Sequence, residues 1–136
     1  MPAIDPNELR RGDAHALLTS LWTPRAIALI GSQDSHGVMN LAPFSFATAI
    51  ASRPMLFATS ISDGPGGRAK DTLANIEATG VYTVNIVDEP MLEAMHKSST
   101  AFPAEVSEFE RVSLTPVAGE RVAAPRVAES PASWEM

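Results

Sequence analysis

This sequence predicts a mainly β architecture, a small antiparallel β-barrel carrying short helices, and three observations lead to it. Residues 81–87 set Val81, Thr83, Asn85 and Val87 on one face and Tyr82, Val84 and Ile86 on the other, which is the two-residue period of a strand. Between the apolar runs 25–32 and 38–41, Gln33-Asp34-Ser35-His36-Gly37 supplies hairpin-turn chemistry, with Gly37 able to take a positive φ. The strand candidates lie too close together for repeated β-α-β units, so neighbouring strands must run antiparallel.

The elements follow in order. Asp13 is expected to cap a short helix whose face Ala14, Leu17, Leu18 and Leu21 is buried, ending near Trp22 because Pro24 biases Thr23 out of helical geometry. His15 falls off that face, toward solvent. Residues 44–51 and 55–61 are extended and joined by the turn Ser52-Arg53-Pro54. The glycine- and proline-rich stretch 62–68 reads as a mobile loop without regular structure. Asp71 then caps a helix through Ala78, with Leu73 and Ile76 inward and Gly80 as terminator. Pro90 opens another short helix over which Met91, Leu92 and Met95 pack, with His96 at its end. Residues 98–110 form a loop held down by Phe102, Val106 and Phe109 with one helical turn. Residues 112–127, broken by Pro116, Gly119 and Pro125, give only short or edge strands, and 132–136 begin a further strand.

Composition narrows the function. The 136 residues suit one domain, and no apolar run approaches the roughly 18 residues of a membrane span. A net charge of -6 without clustered Lys and Arg argues against a nucleic-acid partner. With no cysteine there are no disulfides, thiolate chemistry or Cys-ligated metals, and three scattered histidines do not make a metal site. The start Met-Pro-Ala-Ile-Asp-Pro lacks a basic region and apolar signal core, so a cytoplasmic location is expected. Dinucleotide, phosphate-loop, nucleophile-elbow and zinc-protease motifs are all missing.

Chemistry is concentrated in two stretches. Asn40-Leu41-Ala42-Pro43-Phe44-Ser45-Phe46 sets polar side chains among small and apolar ones, and Lys70-Asp71-Thr72 opens a helix. A helix start with free backbone donors, a hydroxyl and a lysine suits a phosphate monoester. The plain alternative is Asp71 as cap, Thr72 as helix starter and Lys70 as a solvated charge; on pattern alone it is the commoner case.

These blocks, with Pro24-Arg25, the continuation Leu73-Ala74-Asn75-Ile76-Glu77-Ala78-Thr79-Gly80, Val84-Asn85, Phe102-Pro103-Ala104 and Arg126-Val127-Ala128-Glu129-Ser130-Pro131, stand in the order and spacing of a known family. The chain resembles flavin reductase-like proteins of the FMN-binding split-barrel superfamily. The resemblance implies an antiparallel Greek-key split barrel that forms a homodimer, with FMN in a groove near the subunit interface and NAD(P)H as electron donor. By that resemblance Asn40, Ala42, Pro43, Phe44 and Ser45 line the isoalloxazine, Thr48 and Ser60 reach the ribityl chain or phosphate, and Lys70, Asp71 and Thr72 receive the phosphate. Ala26 and Thr48 depart from the proline and asparagine of many members. Residues 1–136 are expected to form one such domain, shortened at the C-terminus relative to members that continue for several strands beyond Pro131.

Three functions fit this reading. One is a flavin reductase passing hydride from NAD(P)H to flavin, which requires no side-chain acid or base and so no catalytic residue. Another is an FMN-binding electron carrier, store or sensor without reductase activity of its own. The last is a flavin-free interaction module.

Overall fold

A computed structural model describes residues 3–136. In chain order the regular elements are α1 (Arg11–Leu21), β1 (Ala28–Gln33), β2 (Met39–Phe44), β3 (Ala47–Ser52), β4 (Met55–Thr59), α2 (Asp71–Thr79), β5 (Thr83–Ile86), α3 (Leu92–Lys97), β6 (Pro116–Val117), β7 (Arg126–Val127) and β8 (Ser133–Glu135). Single 3-10 turns stand at Pro6–Glu8, Pro65–Gly67, Glu89–Met91 and Glu108–Glu110.

The centre is a four-stranded sheet in the order β2-β1-β5-β8, and every strand pairing in it is antiparallel. The β1–β2 hairpin closes as predicted: Asp34 Oδ1 accepts the backbone N–H of His36 (2.9 Å) and of Val38 (2.8 Å), and Gly37 takes φ 87°. β2 runs further than expected, so Phe44 ends it opposite Ala28 instead of opening the next strand. Pro43 is tolerated there because β2 is the sheet's edge, where a missing N–H costs no ladder bond. The antiparallel β3–β4 ribbon turns at Arg53-Pro54, inside the predicted turn, and carries a bulge between Ala49 and Ala51. Among the described residues β6 and β7 pair only with each other.

Successive residues of β1 feed opposite faces of the sheet, so the core divides in two. Leu29 joins Leu41, Met91, Phe109, Leu114 and Val127, whereas Ala28 and Ile30 join Phe44 and Val84, with Ile76 and Trp134 packed alongside. On the Leu29 face, opposite Leu29 itself, lies Asn85, fully buried. Its Nδ2 donates to Leu29 O (3.0 Å) and Thr83 Oγ1 (3.1 Å), while its Oδ1 accepts from Val127 N (3.0 Å) and Ser133 Oγ (2.7 Å). One carboxamide thus joins β1, β5, β7 and β8. Beside it, Thr83 Oγ1 donates to Pro125 O (2.6 Å), and the 125–127 segment passes so close to β1 that a Cβ on Gly31 would stand 2.2 Å from that same carbonyl.

The helices correct several expectations. Asp13 does not cap α1: Arg10 holds the cap position, and Asp13 pairs with its guanidinium at 2.7 Å. No residue of α1 is buried, and Leu18, Leu21 and the following Trp22 are 53%, 75% and 71% exposed. Apolar spacing marks the face a helix can bury, but only Ala14 and Leu17 of this one are half-buried, and its C-terminal half stays open. His15 is exposed, its ring edge-on to Phe46 at 5.8 Å. α2 is capped by extended Lys70 and not by Asp71, which is the first helical residue, with its carboxylate turned back to Arg68 Nη2 (3.3 Å). Its terminator is as expected, Gly80 at φ 73° donating to Ile76 O at 2.8 Å. The residues α2 buries are Thr72 and Asn75, with Leu73 and Ile76 half-buried. Around α3, Met91 is buried and Met95 packs on the core, but Leu92 is 58% exposed. Among the described residues no helix is long and apolar enough to cross a membrane.

Replacing Asn85 by Ala leaves a carbonyl and a backbone N–H buried without partners, each worth about 1–3 kcal/mol. Asn85→Ala is therefore expected to lower stability by at least about 2 kcal/mol, measured as a shift in urea midpoint at unchanged slope.

Candidate functional site

A cleft of about 420 Å³ opens where β2 ends, α2 begins and residues 98–102 pass by, a volume within the range of small-ligand sites. Asn40, Ala42, Pro43 and Phe44 form one wall, and Arg68, Lys70, Asp71 and Thr72 another. Residues 98–102 and Glu108 close the third side. Seven of the ten residues expected at the site therefore meet here: Asn40, Ala42, Pro43, Phe44, Lys70, Asp71 and Thr72. Ser45, Thr48 and Ser60 do not line the cleft. Ser45 follows β2, Thr48 is exposed on β3 with its hydroxyl on Ala49 O (3.3 Å), and Ser60 is exposed after β4.

A hollow of about 500 Å³ beside α3 is larger but less suited to a ring and an anion. It gathers Asp88, Glu93 and Glu129 against Lys97 and Arg111, and Lys97 is already paired with Glu93 at 2.8 Å. Its lining comes from α3, the turn before it and the loop segments around Arg111 and Glu129, and no residue of β1, β2 or β5 takes part.

The two main walls are locked together by a buried polar network. Asn40 Nδ2 donates to Thr72 Oγ1 (2.9 Å) and to Ser32 Oγ (3.3 Å), and Asn75 Nδ2 donates to the same Ser32 oxygen (3.3 Å). Ser32, Asn40, Thr72 and Asn75 are all buried, where an unpaired polar group is costly. Both amide hydrogens of Asn40 are thereby engaged, leaving its carbonyl oxygen for a ligand. Thr72, 1% exposed, serves the fold first; its hydroxyl proton is what remains to offer.

The start of α2 has no side-chain cap, so its first backbone N–H groups keep their donor capacity and the positive end of the helix dipole faces outward. Lys70 Nζ stands 5.3 Å from the centre of the Phe44 ring, a cation–π contact that sets a positive charge beside an apolar surface. An apolar wall, a lysine and free helix-start donors in one cleft match the two halves of FMN, a flat ring and a phosphate monoester. The residues present fit the group.

Glu108 was not foreseen. It is buried, and its Oε2 accepts the Leu41 N–H at 2.9 Å on the free edge of β2. Desolvation pushes its pKa up, the Leu41 hydrogen bond opposes that, and the charge of Asp71 adds to the rise. The sequence marks only a turn pinned by Phe109 here; that the preceding carboxylate reaches a strand 67 positions earlier has no local signal.

Comparison with known proteins gives the family and the fold. The family model of the flavin reductase like domain matches residues 20–136. The uncharacterized protein BH2278 of Halalkalibacterium halodurans is 39% identical over 93% of this chain and 61% of its own length. Among solved structures, nitrilotriacetate monooxygenase component B from Bacillus cereus superposes with a TM-score of 0.94 at 34% identity, covering 99% of this chain and 66% of that one. Pseudomonas fluorescens 2-nitrobenzoate 2-nitroreductase NbaA gives 0.87 at 31% identity, covering 98% and 64%. The chain thus spans about three fifths to two thirds of the length of the proteins it matches, and its antiparallel sheet and ribbon are arranged as in their split-barrel fold. From the motif blocks, the fold and the match over residues 20–136, this chain belongs to the flavin reductase-like family.

Proposed function

We propose that the cleft binds FMN and that the protein is a flavin reductase-like oxidoreductase passing hydride from NAD(P)H to flavin. The observation that carries this reading is the apolar end of β2 facing an uncapped, lysine-flanked helix start within one cleft. Ala42, Pro43 and Phe44 would hold the ring by contact, with the Asn40 carbonyl oxygen as an acceptor at its edge. Lys70 and the first backbone N–H groups of α2, Asp71 and Thr72 included, would hold the phosphate. Ser45, Thr48 and Ser60 would meet only the part of the ligand that leaves the cleft toward β3 and β4. Bound FMN supplies the hydride-accepting chemistry; the chain supplies orientation and exclusion of water, and no side-chain acid or base is assigned.

We also propose a homodimer. The β3–β4 ribbon pairs with no other described strand and exposes Ile50 (62%), Met55 (64%) and Leu56 (44%), a surface that a second copy would cover. A cytoplasmic setting accords with a chain that has no cysteine. Light scattering across a dilution series should show the average mass rising with concentration toward twice that of the chain.

Lys70→Ala is expected to weaken FMN roughly tenfold or more while leaving riboflavin nearly unchanged, because one charge-assisted hydrogen bond is worth about 1.5–3 kcal/mol and riboflavin has no phosphate. Flavin fluorescence titration reads both affinities; equal losses would move the phosphate elsewhere. Thr72→Val keeps the shape but removes the acceptor of the Asn40 amide, and is expected to cost about 1–3 kcal/mol of fold stability in urea denaturation. Lys70→Ala, at an exposed cap position, should stay within about 0.5 kcal/mol.

A further inference from the structure

We propose that Glu108 is a ligand-contacting residue of the cleft: the carboxylate oxygen that Leu41 does not use accepts an N–H or O–H from the bound molecule. The proposal rests on the reading that this cleft holds a flavin. It does not depend on where the phosphate lies.

Glu108 is 8% exposed, yet it lines the cleft from the 3-10 turn docked on the edge of β2. Its carboxylate offers about four acceptor positions. Among the described residues the Leu41 N–H is the single donor from another residue that reaches it. A buried charge requires partners, and here no counter-charge is supplied. The two nearby cations are otherwise placed: Arg68 Nη2 on Asp71 at 3.3 Å, and Lys70 Nζ over the Phe44 ring at 5.3 Å. A strongly acceptor oxygen is therefore left toward the space the ligand occupies. A flavin carries matching donors, the imide N–H of its ring and the hydroxyls of its ribityl chain.

The protonation state gives this contact a signature. β2 brings no titratable side chain to Glu108; the start of α2 and the segment before it bring Asp71, Lys70 and Arg68; its own turn adds exposed Glu110. Burial first, and then the charge of Asp71, raise the Glu108 pKa above the usual carboxylate value in the free protein. A donor from the ligand favours the ionised form and lowers that pKa on binding. Affinity must then rise as pH rises through the free-protein pKa.

Riboflavin is the suitable probe, since it lacks the phosphate whose own titration would overlap. Its affinity is to be measured by fluorescence between about pH 5 and about pH 8 for the wild type and for Glu108→Gln, which keeps an acceptor for Leu41 N–H. The wild type should tighten roughly tenfold across that range, and the variant should be flat and about tenfold weaker at the upper end. Glu108→Asp keeps the charge but draws it back by one methylene, so it should weaken riboflavin at the upper end of the range; if the Gln variant fails to fold, wild-type affinity and pH profile in Glu108→Asp overturn the proposal. Repeating the series with lumiflavin, which has no ribityl chain, assigns the donor: the pH dependence persists for a ring N–H and vanishes for a ribityl hydroxyl. Equal pH profiles in wild type and Glu108→Gln, or equal affinities throughout, overturn the proposal while leaving the flavin site standing. No binding of riboflavin or FMN to the wild type overturns the flavin reading and the proposal with it.

Discussion

The hydrogen bond from Asn40 to Thr72 is the constraint on which the site depends. Four buried polar side chains, Ser32, Asn40, Thr72 and Asn75, meet between the sheet and α2, and none can be left unpaired without a penalty comparable to a large share of a small domain's stability. Because the donors and acceptors lie on β1, β2 and both turns of α2, they are satisfied in one docking of the helix on the sheet. That docking sets the uncapped helix start against the Ala42-Pro43-Phe44 wall. Apolar packing alone tolerates sliding; directional bonds do not.

The same device recurs at Asn85, where one carboxamide closes the irregular 122–127 region and β8 onto the sheet. β6 and β7 have two residues each and cannot hold themselves in place by ladder bonds. Glu135 extends this arrangement, accepting the backbone N–H groups of Glu120, Arg121 and Val122 at 2.8, 2.6 and 3.1 Å, which holds its pKa below the usual carboxylate value. Side chains of regular strands thus order the segments that have little regular structure of their own.

How far the sequence could be read follows from how local each signal is. The β1–β2 turn, the 81–87 alternation and Gly80 rest on neighbours a few positions apart, and each was legible. The cap of α2 was misread because Asp71 has a competing partner in Arg68, three residues away on the loop side. The face of α1 was legible as apolar, but whether anything covers it is not a local property. In the site, the grouping of Asn40, Phe44, Lys70 and Thr72 came from the motif blocks, whereas the inward commitment of the Asn40 amide and the arrival of Glu108 depend on contacts 32 and 67 positions apart. Side chains expected to serve a ligand were found serving the fold first.

The two tryptophans give the molecule an optical asymmetry. Trp22, just past α1, is 71% exposed, whereas Trp134 on β8 is partly buried with its ring 5.1 Å from that of Phe57 on β4, bridging the sheet and the ribbon. Emission from Trp22 belongs to a water-bathed indole that ionic quenchers reach; emission from Trp134 belongs to a shielded one. Once the first is quenched, the remaining light reports a single junction, and its colour registers whether the β3–β4 ribbon is seated on the central sheet.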